Sequence, residues 1–200
     1  MSRFELPELG THLQGKVVVL TGGALGIGAE LVRLLHSCGS NVFFGDVLIP
    51  QGEALASELS ALSAPVAGFT EAPGLAIYSS GKHGVYGLMR ALRKVLIKSS
   101  PYAIRTNAIC PWMTETRMVS GIEESWKEAG LPRNKAIDVA RVIAGVMVAE
   151  SLNGEALYVE GGRAWGIEEG IERTQPQWMG EKQSHDFQKG QEVLGTGENW

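Results

Sequence analysis

Lys16-Val17-Val18-Val19-Leu20-Thr21-Gly22-Gly23-Ala24-Leu25-Gly26-Ile27-Gly28 is the stretch that decides the fold. Its β-branched run, Val17 to Leu20, reads as a short strand buried on both faces. Glycines follow at once, and then Ile27, Leu31, Leu34 and Leu35 recur at three- and four-residue spacings, as in an amphipathic helix. Gly39 is a stop signal, and Asn41-Val42-Phe43-Phe44-Gly45-Asp46 reads as a second strand. Strand, turn, helix and strand within about 30 residues make one βαβ unit. Glycines at such a turn let the backbone approach a pyrophosphate, whose charge the free amides at the helix start attract. Isolated glycines more often serve only a turn with positive φ, but this ordered context favours a nucleotide site. Asp46, ending the second strand, supports that reading. A carboxylate there accepts hydrogen bonds from a ribose diol and repels a 2′-phosphate, which points to NAD over NADP and leaves NADP open.

Working outward, Gln51 to Leu62 reads as a helix, and a second helical pattern starts at Tyr78 and runs to Leu92. Ile104 to Cys110 reads as a strand stopped by Pro111. Ala136 to Met147 is an apolar-rich helix with Asp138 near its start as a cap, and Glu155 to Val159 is a last short strand. From Gly166 the composition turns polar, with isolated Trp178 and Trp200, and implies a mobile extension or a loosely packed lid. The domain organisation expected is one α/β domain over residues 1–165 with a C-terminal extension over 166–200.

Composition sets the functional bounds. A net charge of −4 gives no electrostatic reason to expect nucleic acid or an anionic membrane as partner. No stretch approaches the roughly 20 apolar residues of a membrane-spanning helix, and the N-terminus has no apolar run of the signal-peptide kind. The two cysteines, Cys38 and Cys110, have neither metal-ligand nor redox spacing, so no metal site is expected and a reducing, cytoplasmic setting fits.

Tyr78 and Lys82 lie four apart on a helical pattern and so share a face. An ammonium beside a tyrosine favours its phenolate and makes it a usable acid or base near neutral pH. Such pairs are common by chance, and the surrounding residues are what single this one out. Tyr78-Ser79-Ser80-Gly81-Lys82-His83-Gly84-Val85 with Gly87-Leu88-x-Arg90-Ala91-Leu92, together with Thr21-Gly22-x-x-x-Gly26-Ile27-Gly28, resembles the catalytic helix and cofactor fingerprint of the short-chain dehydrogenase/reductase family. Ile104 to Pro111 and Asn153 to Gly162 resemble two of its strands, so the similarity covers roughly residues 14 to 165.

That resemblance implies a Rossmann-like doubly wound parallel sheet and an NAD(P)-dependent alcohol/ketone oxidoreductase. Tyr78 is then the proton donor or acceptor, and Lys82 lowers its pKa and holds the nicotinamide ribose. Thr21, Gly22, Gly26, Ile27, Gly28 and Asp46 form the cofactor cradle. Thr116 stands at the usual threonine of the nicotinamide loop with Thr114 also available, and Trp112 replaces a common glycine. The resemblance also implies a loss. The interval from Asp46 to Tyr78 is short by very roughly 70 to 80 residues for the family's further strand–helix units, at about 30 residues each. Strands 3, 4 and most of 5 of the family sheet are missing, and with them the catalytic asparagine. Pro65 occupies the position of the catalytic serine, and Ser63 would sit about 6.6 Å away along the strand.

Three outcomes for the sheet follow: strand 1 pairs directly with strand 6, the chain borrows strands from a partner, or it does not fold stably. Two functions remain open. One is hydride transfer on a small-molecule alcohol or ketone; Trp112, Trp126 and Trp178 hint at a hydrophobic or aromatic substrate, and analogy suggests secondary metabolism. The other is an impaired or inactive member that binds a nucleotide or pairs with a full-length paralogue or a second copy of itself.

Overall fold

The computed structural model describes residues 1–48, 51, 55, 76–99 and 104–195. Strand β1 (Arg3–Phe4) and helix α1 (Gly10–Leu13) precede the βαβ unit of β2 (Val17–Thr21), α2 (Gly26–Ser37) and β3 (Asn41–Gly45). Then come α3 (Ala76–Ser99), β4 (Ala108–Pro111), β5 (Thr114–Glu115), α4 (Glu123–Glu128), β6 (Asn134–Lys135) and α5 (Ala136–Val148). The chain continues through β7 (Ala156–Glu160), β8 (Arg163–Gly166), α6 (Glu168–Met179) and α7 (Glu181–Leu194).

The decisive stretch folds as its pattern requires. β2 and β3 pair in parallel, with Val17 opposite Asn41 and Thr21 opposite Gly45. Gly39, at φ +77°, turns the chain out of α2 where a side chain would be strained. Leu31, Val32 and Leu35 on α2 are fully buried with Val18, and the small Ala140 and Ala144 of α5 let the two helices close on each other. The opposite side of α5 places Val139, Val142 and Val146 on Leu157, Val159 and Ala164 of the second sheet. That sheet has the order β1-β8-β7-β4, parallel between β4 and β7 and antiparallel elsewhere.

The fold is α/β and Rossmann-like, but among the described residues the β2–β3 pair and the four-stranded sheet are not joined. Among the described residues β2 pairs only with β3, and β4 only with β7, so direct pairing of the first strand with the strand after α3 does not occur. The expectation that β2 is buried on both faces is corrected accordingly. Val17 and Val19 are 67% and 75% exposed and Phe43 is 61% exposed, because α2 and α5 cover only the opposite face.

Other boundaries also move. The helix expected over 51–62 lies largely outside the described residues. The strand expected from Ile104 begins at Ala108. Before it, the Arg105 guanidinium donates to the carbonyls of Val146, Met147, Ala149 and Leu152, closing the C-terminus of α5. Asp138 sits three residues inside the cap, where it accepts the Lys135 amide at 2.9 Å. β8 and β1 extend the second sheet beyond the strand expected to close it, and residues 168–194 form two helices where an extension or loose lid was expected.

Leu35→Ala, at the α2–α5 contact, is expected to cost about 2–5 kcal/mol in urea unfolding. Val19→Thr, on the bare face, should stay within about 0.5 kcal/mol of the parent. A loss above about 1 kcal/mol for Val19→Thr would mean that this face is covered in solution.

Candidate active site

The glycine turn is held by backbone contacts. Gly22 (φ +74°) and Gly26 (φ +60°) take left-handed conformations that a side chain would strain. The Gly22 amide donates to the Gly45 carbonyl at 2.6 Å, tying the turn to the end of β3. Asp46 completes the tie: its Oδ2 accepts the Ala24 amide at 2.7 Å and its Oδ1 the Leu48 amide at 2.9 Å. These amides, Ala24 first, hold its carboxyl below the usual carboxylate range. Each carboxylate oxygen keeps a further lone pair for a hydroxyl donor. Thr21 ends β2, Gly28 is buried in the first turn of α2, and Ile27 packs toward the α5–β7 core. No side chain caps the start of α2, so its amides face the turn without a protein acceptor at Leu25.

The loop after β4 closes on this turn. A Cβ on Gly26 would stand 3.2 Å from Cγ2 of Thr116, so these two sequence-predicted residues meet, and glycine is what allows the approach. Thr114 behaves differently: it is buried and its hydroxyl donates to the Trp112 carbonyl at 2.9 Å. Thr114 therefore shapes the loop from within. Asn134, which the sequence did not single out, anchors it. Fully buried, it donates its amide N–H to the Met113 carbonyl at 2.8 Å and Nδ2 to the Val159 carbonyl at 2.9 Å, while Oδ1 accepts the Gly162 amide at 3.1 Å. No sequence signal marks Asn134, because its partners come from distant strands.

Tyr78 and Lys82 share a face of α3, with Nζ 5.4 Å from the centre of the tyrosine ring. Burial pushes the Tyr78 phenol up and the Lys82 ammonium down. The expected lowering of the tyrosine by its lysine is thus not what dominates here; desolvation is. Among the described residues, Gly26–Thr116 and Tyr78–Lys82 form two separate contacts. Pro65 and Ser63 lie outside the described residues. Trp112 packs edge-on against Trp126 at 5.4 Å and joins the cluster that contains Tyr86 of α3. Among the described residues no group of His, Cys, Asp and Glu could hold a metal, and no helix is long and apolar enough to cross a membrane.

A glycine turn between parallel strands, an acidic residue closing it and a Tyr/Lys pair on a later helix lie together in one α/β, Rossmann-like domain. The sequence model of the short chain dehydrogenase family matches residues 63–127. Over that stretch the chain is similar to the short-chain dehydrogenase/reductase family. It is 50% identical over 48 residues to a 3-beta-hydroxysteroid dehydrogenase of Comamonas testosteroni, covering 24% of this chain and 19% of that protein. With a 3-oxoacyl-[acyl-carrier-protein] reductase of Bos taurus it shares 30% identity over 100 residues, 48% of this chain and 41% of the relative. The chain therefore spans less than half the length of these curated relatives. Among solved structures it resembles a Brucella melitensis 3-ketoacyl-(acyl-carrier-protein) reductase complexed with NADH, at a TM-score of 0.64 and 18% identity, over 75% of this chain and 98% of that one. That likeness supports the fold.

Asp46→Asn weakens the tie between β3 and the turn. A carboxyl held low contributes stability above its unfolded pKa, and that contribution is lost as pH falls through the folded value. The Asp46→Asn variant should melt below the parent at pH 7, and the gap should begin to narrow below about pH 4 and close as pH falls through the lowered folded value. An equal gap at pH 7 and at low pH would show that the charge of Asp46 is not what matters.

Proposed function

We propose that the chain is an NAD(P)-dependent oxidoreductase acting on a small-molecule alcohol or ketone, with Tyr78 as acid/base and Lys82 as its electrostatic partner. The observation that carries this reading is the closure of the post-β4 loop on the glycine turn, with Thr116 against Gly26 and Asp46 fastening the same turn. The cradle fits a dinucleotide: it combines an uncapped helix start, close backbone approach at Gly26 and a carboxylate with lone pairs to spare. Gly22, Gly26, Gly28 and Thr116 would hold the cofactor, and Asp46 favours NAD over NADP. When bound, the nicotinamide supplies or accepts the hydride.

The protein's part is to orient and to move a proton. The Tyr78 hydroxyl exchanges a proton with the carbinol oxygen, and the Lys82 ammonium favours the phenolate when that proton leaves. The two curated relatives are named for different substrates, a hydroxysteroid and an oxoacyl thioester carrier, so they do not fix the substrate here. The Trp112–Trp126 pair beside the loop supports a hydrophobic ring compound, of the kind secondary-metabolite pathways make.

One observation favours a second reading, a family member that binds a nucleotide or a full-length paralogue without turning over. Among the described residues the β2–β3 pair is not joined to the four-stranded sheet, and Val17, Val19 and Phe43 are exposed. A thermal melt with and without NADH, followed by NADH oxidation with a panel of ring ketones, separates the readings. At 100 times its dissociation constant NADH should add about 2.7 kcal/mol of stability. Turnover that Tyr78→Phe abolishes is expected on the first reading. A melt that moves with NADH, without turnover, supports the second, and no response to NADH overturns both as nucleotide sites.

A further inference from the structure

The C-terminal helix α6 is fastened to α3 through one buried carboxylate. Glu168, 3% exposed, accepts hydrogen bonds from the Tyr86 hydroxyl, from Arg90 Nε at 3.0 Å and from Arg93 Nη1 at 2.8 Å. All three donors belong to α3. Arg93 is fixed in turn: its guanidinium also reaches the Gly154 carbonyl at 3.0 Å and Glu172 at 3.2 Å, and its own carbonyl accepts Asn153 Nδ2 at 2.8 Å. Gly154 takes φ +77°, and a Cβ there would fall 2.5 Å from Arg93 Cδ, so the guanidinium stem passes where only glycine leaves room. Behind the clamp, Glu155 Oε1 accepts the amides of Ile167 at 3.0 Å and Glu168 at 2.9 Å, setting the first turn of α6.

The clamp is wired to the Tyr78–Lys82 pair by the geometry of α3. Tyr78, Lys82 and Tyr86 stand at successive four-residue steps, and so line one stripe of the helix. Toward the N-terminal half of α3 the packing is thin. Cβ atoms added at Gly81, Gly84 and Gly87 would meet nothing within 4 Å, and Val85 and Leu88 are 51% and 57% exposed. Among the described residues, the contacts that seat α3 on the sheet come from Tyr86 and Met89, packed with Cys110 and Ala156, and from the two arginines. The described contacts thus hold α3 beyond Lys82, where buried Glu168 pairs with Arg90 and with Arg93, the latter also paired with Glu172. Removing the charge of Glu168 leaves Arg90 and the half-buried Tyr86 phenol with a weaker acceptor, and Arg93 with Glu172 and the Gly154 carbonyl.

We infer that Glu168 is a positioning residue for Tyr78 and Lys82, acting through Tyr86, Arg90 and Arg93, so that α6 belongs to the candidate active site. The inference rests on the reading of Tyr78 and Lys82 as the acid/base pair. A helix that only held down the tail would leave Lys82 unchanged when the clamp is weakened.

Competitive acetylation with trace acetic anhydride across pH, read on the Lys82 peptide by mass spectrometry, tests this on the full chain. Exposed Lys127 of α4 serves as the internal reference. In Glu168→Gln the Lys82 midpoint should rise toward the ordinary lysine range, with a fall in free amine at fixed pH. Lys127 should not move. An unchanged Lys82 midpoint, with faster proteolysis between α6 and α7, would overturn the inference and leave Glu168 as a fastener of the tail. If Glu168→Gln shows no cooperative melt, Tyr86→Phe carries the same comparison, since it deletes one hydroxyl and keeps both arginine contacts. A shift in the same direction supports the inference, and none overturns it. Tyr78→Phe separates the two layers. Undiminished hydride transfer in Tyr78→Phe would sink the acid/base reading while leaving the Lys82 shift to stand by itself.

Discussion

Helix α5 is apolar on two sides, and both pieces of the sheet are fixed through it. Its alanines, Ala140 and Ala144, admit α2 with the β2–β3 pair, while Val139, Val142 and Val146 press on β7 and β8. Burying a valine or leucine contributes about 1.5–3 kcal/mol. The fully buried Leu31, Val32, Leu35, Val139 and Val142 therefore concentrate at one helix much of what binds the halves together. Strand hydrogen bonds do not do this work, since β2 and β4 are not partners. The Arg105 guanidinium, spread over four carbonyls at the end of α5, keeps that helix from fraying where the second sheet begins.

Once α5 is fixed, the positions of the site follow. Its N-terminus emerges directly from β6, whose Asn134 pins the loop after β4 to β7 and to the turn at Gly162. The loop then has one direction left to run, across to the start of α2, where Thr116 meets Gly26. A buried asparagine with three backbone partners is expensive to misplace, because each unpaired polar group costs about 1–3 kcal/mol. The glycine-turn side of the candidate site is thus fixed by these contacts, whereas the Tyr78 side is carried by α3.

The local parts of this arrangement were legible in the sequence. The βαβ unit reads from the valine run, the glycines and the leucine spacing, because each is a neighbourly constraint written within a few residues. The shared face of Tyr78 and Lys82 and the glycine turn were readable for the same reason. What the pattern could not reveal is whatever depends on residues far apart. Val17 and Val19 look like buried strand positions, yet their burial is decided by what stands across the sheet, not by their β-propensity. Thr114 and Thr116 look interchangeable, and only the Asn134 contacts turn one inward and leave the other at Gly26. Glu168 sits in a polar stretch that reads as tail, and its burial arises from arginines on α3.

The same facts make the site and the fold one problem. Among the contacts that cross from the β2–β3 piece to the rest of the chain are the α2–α5 packing below and Thr116 against the glycine turn above. The first is apolar and insensitive to ligand. The second lies where the proposed dinucleotide would touch both sides at once, the glycine turn and Asp46 on one piece and the loop of Thr116 on the other. A ligand that bridges the pieces binds the closed arrangement and not the parted one, so its binding free energy adds directly to the stability of the joined fold. With β2 and β3 paired only with each other among the described residues, and with exposed valines on β2, that addition is a larger share of the whole than it would be in a chain with a continuous sheet. Occupancy and integrity are then set by a single equilibrium, and a change that loosens the Gly26–Thr116 approach weakens both together.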